Sequence, residues 1–183
     1  ICEVNAQPGF RPHWLSAPNR DINGEILDIV FPEGSPRIPT VVISGAKGGT
    51  SIAQMVHDIW QRAGLSTGLS CRKGVQLGEA WLHSKSVPSV HSACQMLLPD
   101  RFLQALVLEL RHTDLIRHGH PLDQYEVTAL LNVDDDEIQS AVPATRETKT
   151  HLQEQILKRT TKAIVVNADN MPCLQMSKRV ERA

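Results

Sequence analysis

Seven consecutive residues have the types and spacing to hold a phosphate: Gly45-Ala46-Lys47-Gly48-Gly49-Thr50-Ser51. Glycines let the backbone curl so that several N–H groups point inward, and a helix starting at such a turn adds its positive end. A P-loop also carries a lysine immediately before a Ser or Thr. The lysine reaches the outer phosphates and the hydroxyl holds magnesium. Thr50 supplies the hydroxyl, but Gly49 stands where the lysine belongs. Lys47, two positions earlier, offers one cation that reaches a phosphate from the loop. A glycine turn with a purely structural role is the other reading of the same residues.

Other chemistry-bearing groups are weaker. Asp134, Asp135, Asp136 and Glu137 form an acidic run of the kind that usually lies in a solvated loop. His112, His118 and His120 lack a further ligand at a diagnostic metal spacing. Cys71 and Cys94 have no partner arrangement that would make either a nucleophile, and no two cysteines form a C-x-x-C pair.

The elements that must position the glycine loop follow from the apolar pattern. Residues 39–44 form a short β-branched run, read as a buried strand, and Thr50 to Ala63 carries apolar residues at helical spacing until Gly64. Strand, glycine turn and helix open a βαβ unit. Further strands are expected at 66–70, 105–110, 127–132 and 163–167, with helices at 87–98 and 145–159. Continuous apolar strands separated by helices predict an α/β fold with a mostly parallel sheet flanked by helices. Residues 1–37 are rich in Pro, Gly and Asn and read as irregular chain, with one or two helical turns at 21–31.

Composition sets the outer limits. Of 183 residues, 41% are hydrophobic and 21% charged, enough for a core and against disorder. The net charge of -1 argues against a nucleic-acid partner. No apolar run approaches the ~20 residues that cross a bilayer, so no membrane partner is expected. The four scattered cysteines fit free thiols in a reducing, cytoplasmic setting. The first residue, Ile1, suggests a fragment.

In sequence the chain resembles the Mur ligases, and within them the cyanophycin synthetases. Gly45 to Ser51 occupies the place of the family's G-T-N-G-K-T-T. Ser70-Cys71-Arg72-Lys73-Gly74-Val75 resembles T-T-T-D-G-V with its hydroxyls and acid mostly replaced. Leu108-Glu109-Leu110-Arg111 occupies the place of L-E-T-A. Asn132-Val133-Asp134-Asp135-Asp136-Glu137 matches N-I-A-A-D-H, and Asn167-Ala168-Asp169-Asn170 resembles N-A-D-D. The opening Glu3-Val4-Asn5 and its surroundings resemble the end of an ATP-grasp domain.

The resemblance implies a tail of an ATP-grasp domain and linker at 1–37, and at 38–183 a P-loop NTPase-like Mur ligase central domain. Flanking ATP-grasp and C-terminal ligase domains are implied as missing partners. It implies ATP at Gly45, Ala46, Lys47, Gly48, Gly49, Thr50, Ser51, Asn132 and Asp169. Thr50, Glu109 and Glu137 are implied as magnesium ligands. Ungapped counting puts His151 where the family carries a catalytic lysine, carbamylated in many members; a small gap would change that assignment.

The function implied is ATP-dependent amide-bond formation through an acyl phosphate, with an amino-acid or peptide substrate. Three changes, Lys to Gly49, His to Glu137 and Lys to His151, support an alternative in which the domain is a pseudoenzyme with a structural or interaction role. An unrelated P-loop kinase or NTPase is a third reading, which the missing lysine weighs against. A homo-oligomer is left open.

Overall fold

A computed structural model describes residues 20–30, 32, 37–85, 89–133 and 145–180. The chain divides into two compact units, Ile1–Arg37 and Ile38–Ala183. The helix described in the first unit is α1 (Ile22–Val30). Asp21 starts it by accepting the Gly24 N–H at 2.9 Å, a side-chain cap for an otherwise orphaned donor. The turn or two of helix expected there is a nine-residue helix.

The second unit is built on seven strands: β1 (Thr40–Ser44), β2 (Thr67–Cys71), β3 (Gly74–Leu77), β4 (Ala80–His83), β5 (Ala105–Leu110), β6 (Tyr125–Leu130) and β7 (Thr160–Val166). They form one sheet in the order β4-β3-β2-β5-β1-β6-β7. β1 pairs parallel with both neighbours, Thr40 facing Leu106 on one side and Val41 facing Val127 on the other. β2 pairs parallel with β5, and β7 with β6. β3 and β4 are antiparallel additions beyond β2. The helices are α2 (Gly49–Arg62), α3 (Val90–Leu97), α4 (His112–His118), α5 (Arg146–Lys158) and α6 (Met171–Val180).

The central strands are covered on both faces, and their side chains alternate between two cores. Val42, Leu106 and Leu108 pack with Val90, Ala93 and Leu97 of α3 and with Tyr125 and Ile156. Ile43, Leu69 and Val107 point the other way, onto Ala53, Ile52, Val56 and Trp60 of α2. Every residue of β5 is buried, so it reads in sequence as an unbroken apolar run with one exception, Glu109. By the same period of two, Glu109 shares the face of Val107 and therefore of α2. A third cluster joins Leu130 and Val133 to Leu157, Cys173 and Met176 under α5 and α6.

The strand and helix expectations hold with shifted ends. β6 starts two residues before the expected 127, and β7 three before 163. Helix α3 starts at Val90, where Ser89 accepts the Ser92 N–H at 3.1 Å and fixes the first turn. Three elements were not expected. The hairpin β3–β4 is missed because its strands are four residues each and β4 is exposed along its whole length. The helix α4 carries charged and histidine residues where an apolar stripe would have announced it.

Candidate functional site

The glycine loop lies between β1 and α2, where the chain leaves the sheet. Gly48 caps α2 in the left-handed region, at φ 84°, which a residue with a Cβ adopts only under strain. Asn132, two residues beyond β6, holds the loop's shape. Its Oδ1 accepts the N–H groups of Ala46 at 2.7 Å and Lys47 at 3.0 Å, and its Nδ2 donates to the Lys47 carbonyl at 2.9 Å. Gln153 of α5 in turn donates to the Asn132 carbonyl at 3.4 Å.

Glu109 brings the rest of the site together. Its carboxylate, in a residue 5% exposed, accepts the Thr50 hydroxyl at 3.0 and 2.9 Å and the Arg72 backbone N–H at 2.9 Å. The Arg72 guanidinium adds an ion pair, Nε to Oε1 at 3.5 Å. A buried carboxylate needs such donors, because without them its charge carries the full cost of leaving water. Since the Thr50 O–H donates to Glu109, the hydroxyl's lone pairs remain for a cation. Together Ala46, Lys47, Gly48, Gly49, Thr50, Ser51, Arg72 and Glu109 line one open cavity of about 330 Å³. Hydroxyl and carboxylate oxygens are the donor set a hard cation such as magnesium takes, so Thr50 and Glu109 fit that ion.

Gly49 is buried under the same carboxylate. A Cβ at this position would lie 3.0 Å from Glu109 Oε1, tight enough that Glu109 would have to move a few tenths of an ångström. Beside the site, burial pushes the Cys71 thiol up, and the charge of Glu109 pushes the same way, which keeps Cys71 an inert buried thiol.

Of the residues singled out in the sequence, the structure gathers Gly45 to Ser51, Asn132 and Glu109 around one turn. Asp169 is exposed in the turn after β7, where its N–H donates to Asn167 Oδ1 at 3.0 Å. His151 lies elsewhere. It is exposed on α5 and lines a second cavity with Glu147, Thr150, Glu154 and Arg179, while Lys149 is the buried residue of that helical turn. Glu137, the acidic run 134–137, Glu3 and Asn5 lie outside the described residues.

Sequence reasoning missed Arg72. The available signal was its place directly after a strand, on a turn whose family pattern it breaks. Without the strand order, nothing says that this turn lies beside the glycine loop. Among the described residues, no group of three or more His, Cys, Asp or Glu is arranged to hold a metal. None of the described helices is long and apolar enough to cross a membrane.

No family model matches the chain. Cyanophycin synthetase of Crocosphaera subtropica is 33% identical over 141 residues, covering 75% of this chain and 16% of that protein. Cyanophycin synthetase of Geminocystis herdmanii is 27% identical over 186 residues, covering 99% of this chain and 21% of that protein. The chain thus spans between a sixth and about a fifth of the curated relatives it matches. Among solved structures, a UDP-N-acetylmuramoyl-L-alanyl-D-glutamate–2,6-diaminopimelate ligase superposes with a TM-score of 0.67 at 13% identity, over 86% of this chain and 32% of that one. Folylpolyglutamate synthase of Mycobacterium tuberculosis, complexed with ADP and AMPPCP, superposes with a TM-score of 0.55 at 14% identity, over 86% of this chain and 44% of that one. With the parallel sheet and glycine loop in place, these likenesses identify the chain as a Mur-ligase-like central domain, similar to that of the cyanophycin synthetases.

Proposed function

We propose that the chain is the nucleotide-binding segment of an ATP-dependent, amide-bond-forming ligase. The observation that carries this reading is the joint of Thr50, Glu109 and the glycine loop around one cavity. Backbone N–H groups from Gly48 onward and the positive end of α2 face the phosphates. Thr50 and Glu109 would hold magnesium, which neutralises phosphate charge when bound. Asp169 would reach toward the ribose.

In the reaction a substrate carboxylate oxygen attacks the γ-phosphorus of ATP, and the bond to ADP breaks. An amine then attacks the acyl carbon, phosphate leaves with the C–O bond, and the nitrogen gives up a proton as the amide forms. This chain's part is to bind and orient the triphosphate; positioning is most of what such catalysis asks of a protein. Residues 1–37 would belong to a preceding ATP-grasp domain, 38–183 to the central domain. The acceptor and the amino-acid substrate would be placed by further domains of a longer protein.

A second reading has its own observations: Gly49 has no lysine side chain, and His151 faces a cavity apart from the loop. These favour a domain that keeps the fold in a structural or interaction role. Calorimetry of the chain with magnesium and ATP, alongside Glu109→Ala, separates the two. Micromolar binding that is lost in the variant supports the nucleotide site. Absence of binding up to millimolar ATP would sink it in favour of the structural role.

A further inference from the structure

We infer that Arg72 supplies the phosphate-neutralising cation that the glycine loop lacks, so that the site takes the outer phosphates of a nucleoside di- or triphosphate through a guanidinium carried by the neighbouring strand. The inference rests on the nucleotide reading above and specifies which side chain completes it.

The geometry is local. A P-loop needs one cation beside the loop's last glycine to meet charge on the outer phosphates. In this chain the space where such a side chain would begin, at Gly49, lies 3.0 Å from Glu109 Oε1. The guanidinium of Arg72 approaches the same oxygen, with Nε at 3.5 Å. The two positions therefore border one atom. Arg72 is anchored there by its own backbone, whose N–H donates to Glu109 Oε2 at 2.9 Å. Its side chain is nevertheless 48% exposed and lines the loop cavity with Gly49 and Thr50.

Register explains how a residue distant in sequence arrives there. β2 lies beside β5, with Ser70 facing Leu108, so the turn after Cys71 emerges next to Glu109. Arginine suits this role because its planar fork meets two phosphate oxygens at once and it keeps its charge at any working pH. The two changes are also compatible with each other. A side chain at position 49 would begin 3.0 Å from Glu109 Oε1 and press on the carboxylate that Arg72 meets, whereas glycine leaves that space open. Lys73, next in sequence, turns away and donates to Gln54 Oε1 at 2.9 Å.

The test measures binding of ATP, with magnesium, and of AMP to the 183-residue chain and its variants. Arg72→Ala should weaken ATP about tenfold or more and leave AMP unchanged, because AMP lacks the phosphates concerned. Arg72→Gln, which keeps a polar side chain and the Cβ–Cδ stem but removes the charge, should show the same selective loss and guards against a folding defect. Lys73→Ala should leave ATP binding unchanged. Arg72→Ala combined with Gly49→Lys should recover most of the loss, since Glu109, released from the guanidinium, can give way to the new side chain. If both Arg72 variants bind ATP as the native chain does, or if Lys73→Ala weakens it equally, the assignment of Arg72 is wrong while the nucleotide site stands. If the native chain binds no ATP, the nucleotide reading falls and this inference falls with it.

Discussion

Two buried polar clusters, on opposite faces of the sheet, are built in contrasting ways. At the end of β5, Glu109 is surrounded by donors from three places, the Thr50 hydroxyl, the Arg72 N–H and the Arg72 guanidinium, and opens onto a cavity. At the start of β6, Tyr125 is 1% exposed in the opposite core, and its hydroxyl meets His120 Nδ1 at 3.0 Å. The His91 and His118 rings lie with centroids 5.6 Å apart, tilted by 52°. Burial shifts three groups here away from their charged forms. It pushes the Tyr125 hydroxyl above its ordinary range, raises Cys94 to about 11, and lowers His120 to about 4. In the first cluster Thr50 and Arg72 turn donors toward a buried carboxylate; in the second, burial disfavours the charged forms of Tyr125, Cys94 and His120. Buried polarity alone therefore does not mark a site; donors converging on an open cavity do.

Breaking the charged cluster should have the largest effect. Glu109→Ala leaves the Thr50 hydroxyl and the Arg72 N–H without their acceptor, and urea unfolding should show a loss of about 1–3 kcal/mol. Glu109→Gln, which still accepts hydrogen bonds, should lose less. Equal losses in the two would mean that packing rather than charge holds the joint. Asn132→Ala should cost about 1–2 kcal/mol, because it releases the Ala46 and Lys47 amides. Those two amides should also exchange with deuterium faster; unchanged protection there would mean the loop is held by something else.

In the second cluster, Tyr125→Phe removes one hydrogen bond and keeps the ring in the core, for an expected loss of about 1 kcal/mol. The smallest effect is a slope. Burial, then Arg159 and His91, lowers His120 from 6.5 to about 4. An unfolded chain takes up this proton near 6.5 and the folded chain only near 4. Between those values the unfolded state binds more protons, so stability is complete above 6.5 and declines as pH falls toward 4. His120→Gln should flatten that decline, with Arg159, His91 and Tyr125 still beside the position. Denaturation midpoints at about pH 7 and about pH 5 would show it, and a slope equal to that of the native chain would contradict it.

The sequence made the contrast half legible. β1 and β5 were readable as short, nearly continuous apolar runs, and the glycine turn by Gly45, Gly48 and Gly49 between strand and helix. Glu109 was singled out by the resemblance, which sets it in the place of the family's L-E-T-A. The contacts it makes were not legible, because which turns meet at a strand's end depends on strand order. β2 and β1 both flank β5, and composition reveals neither neighbour. Helix α4 was hidden for a local reason: Arg111 and Asp114 pair across its first turn at 2.9 and 3.1 Å, doing with charge what an apolar stripe does elsewhere. His151 was placed by counting alone, and counting along a helix does not say which face a residue takes.

The three hydrogen bonds from Asn132 to the glycine loop also bear on time. A loop already held in shape by a side chain of its own protein does not wait to be folded by an arriving anion. Capture should then be a single encounter, with its rate governed by diffusion and by the salt concentration rather than by a slow rearrangement.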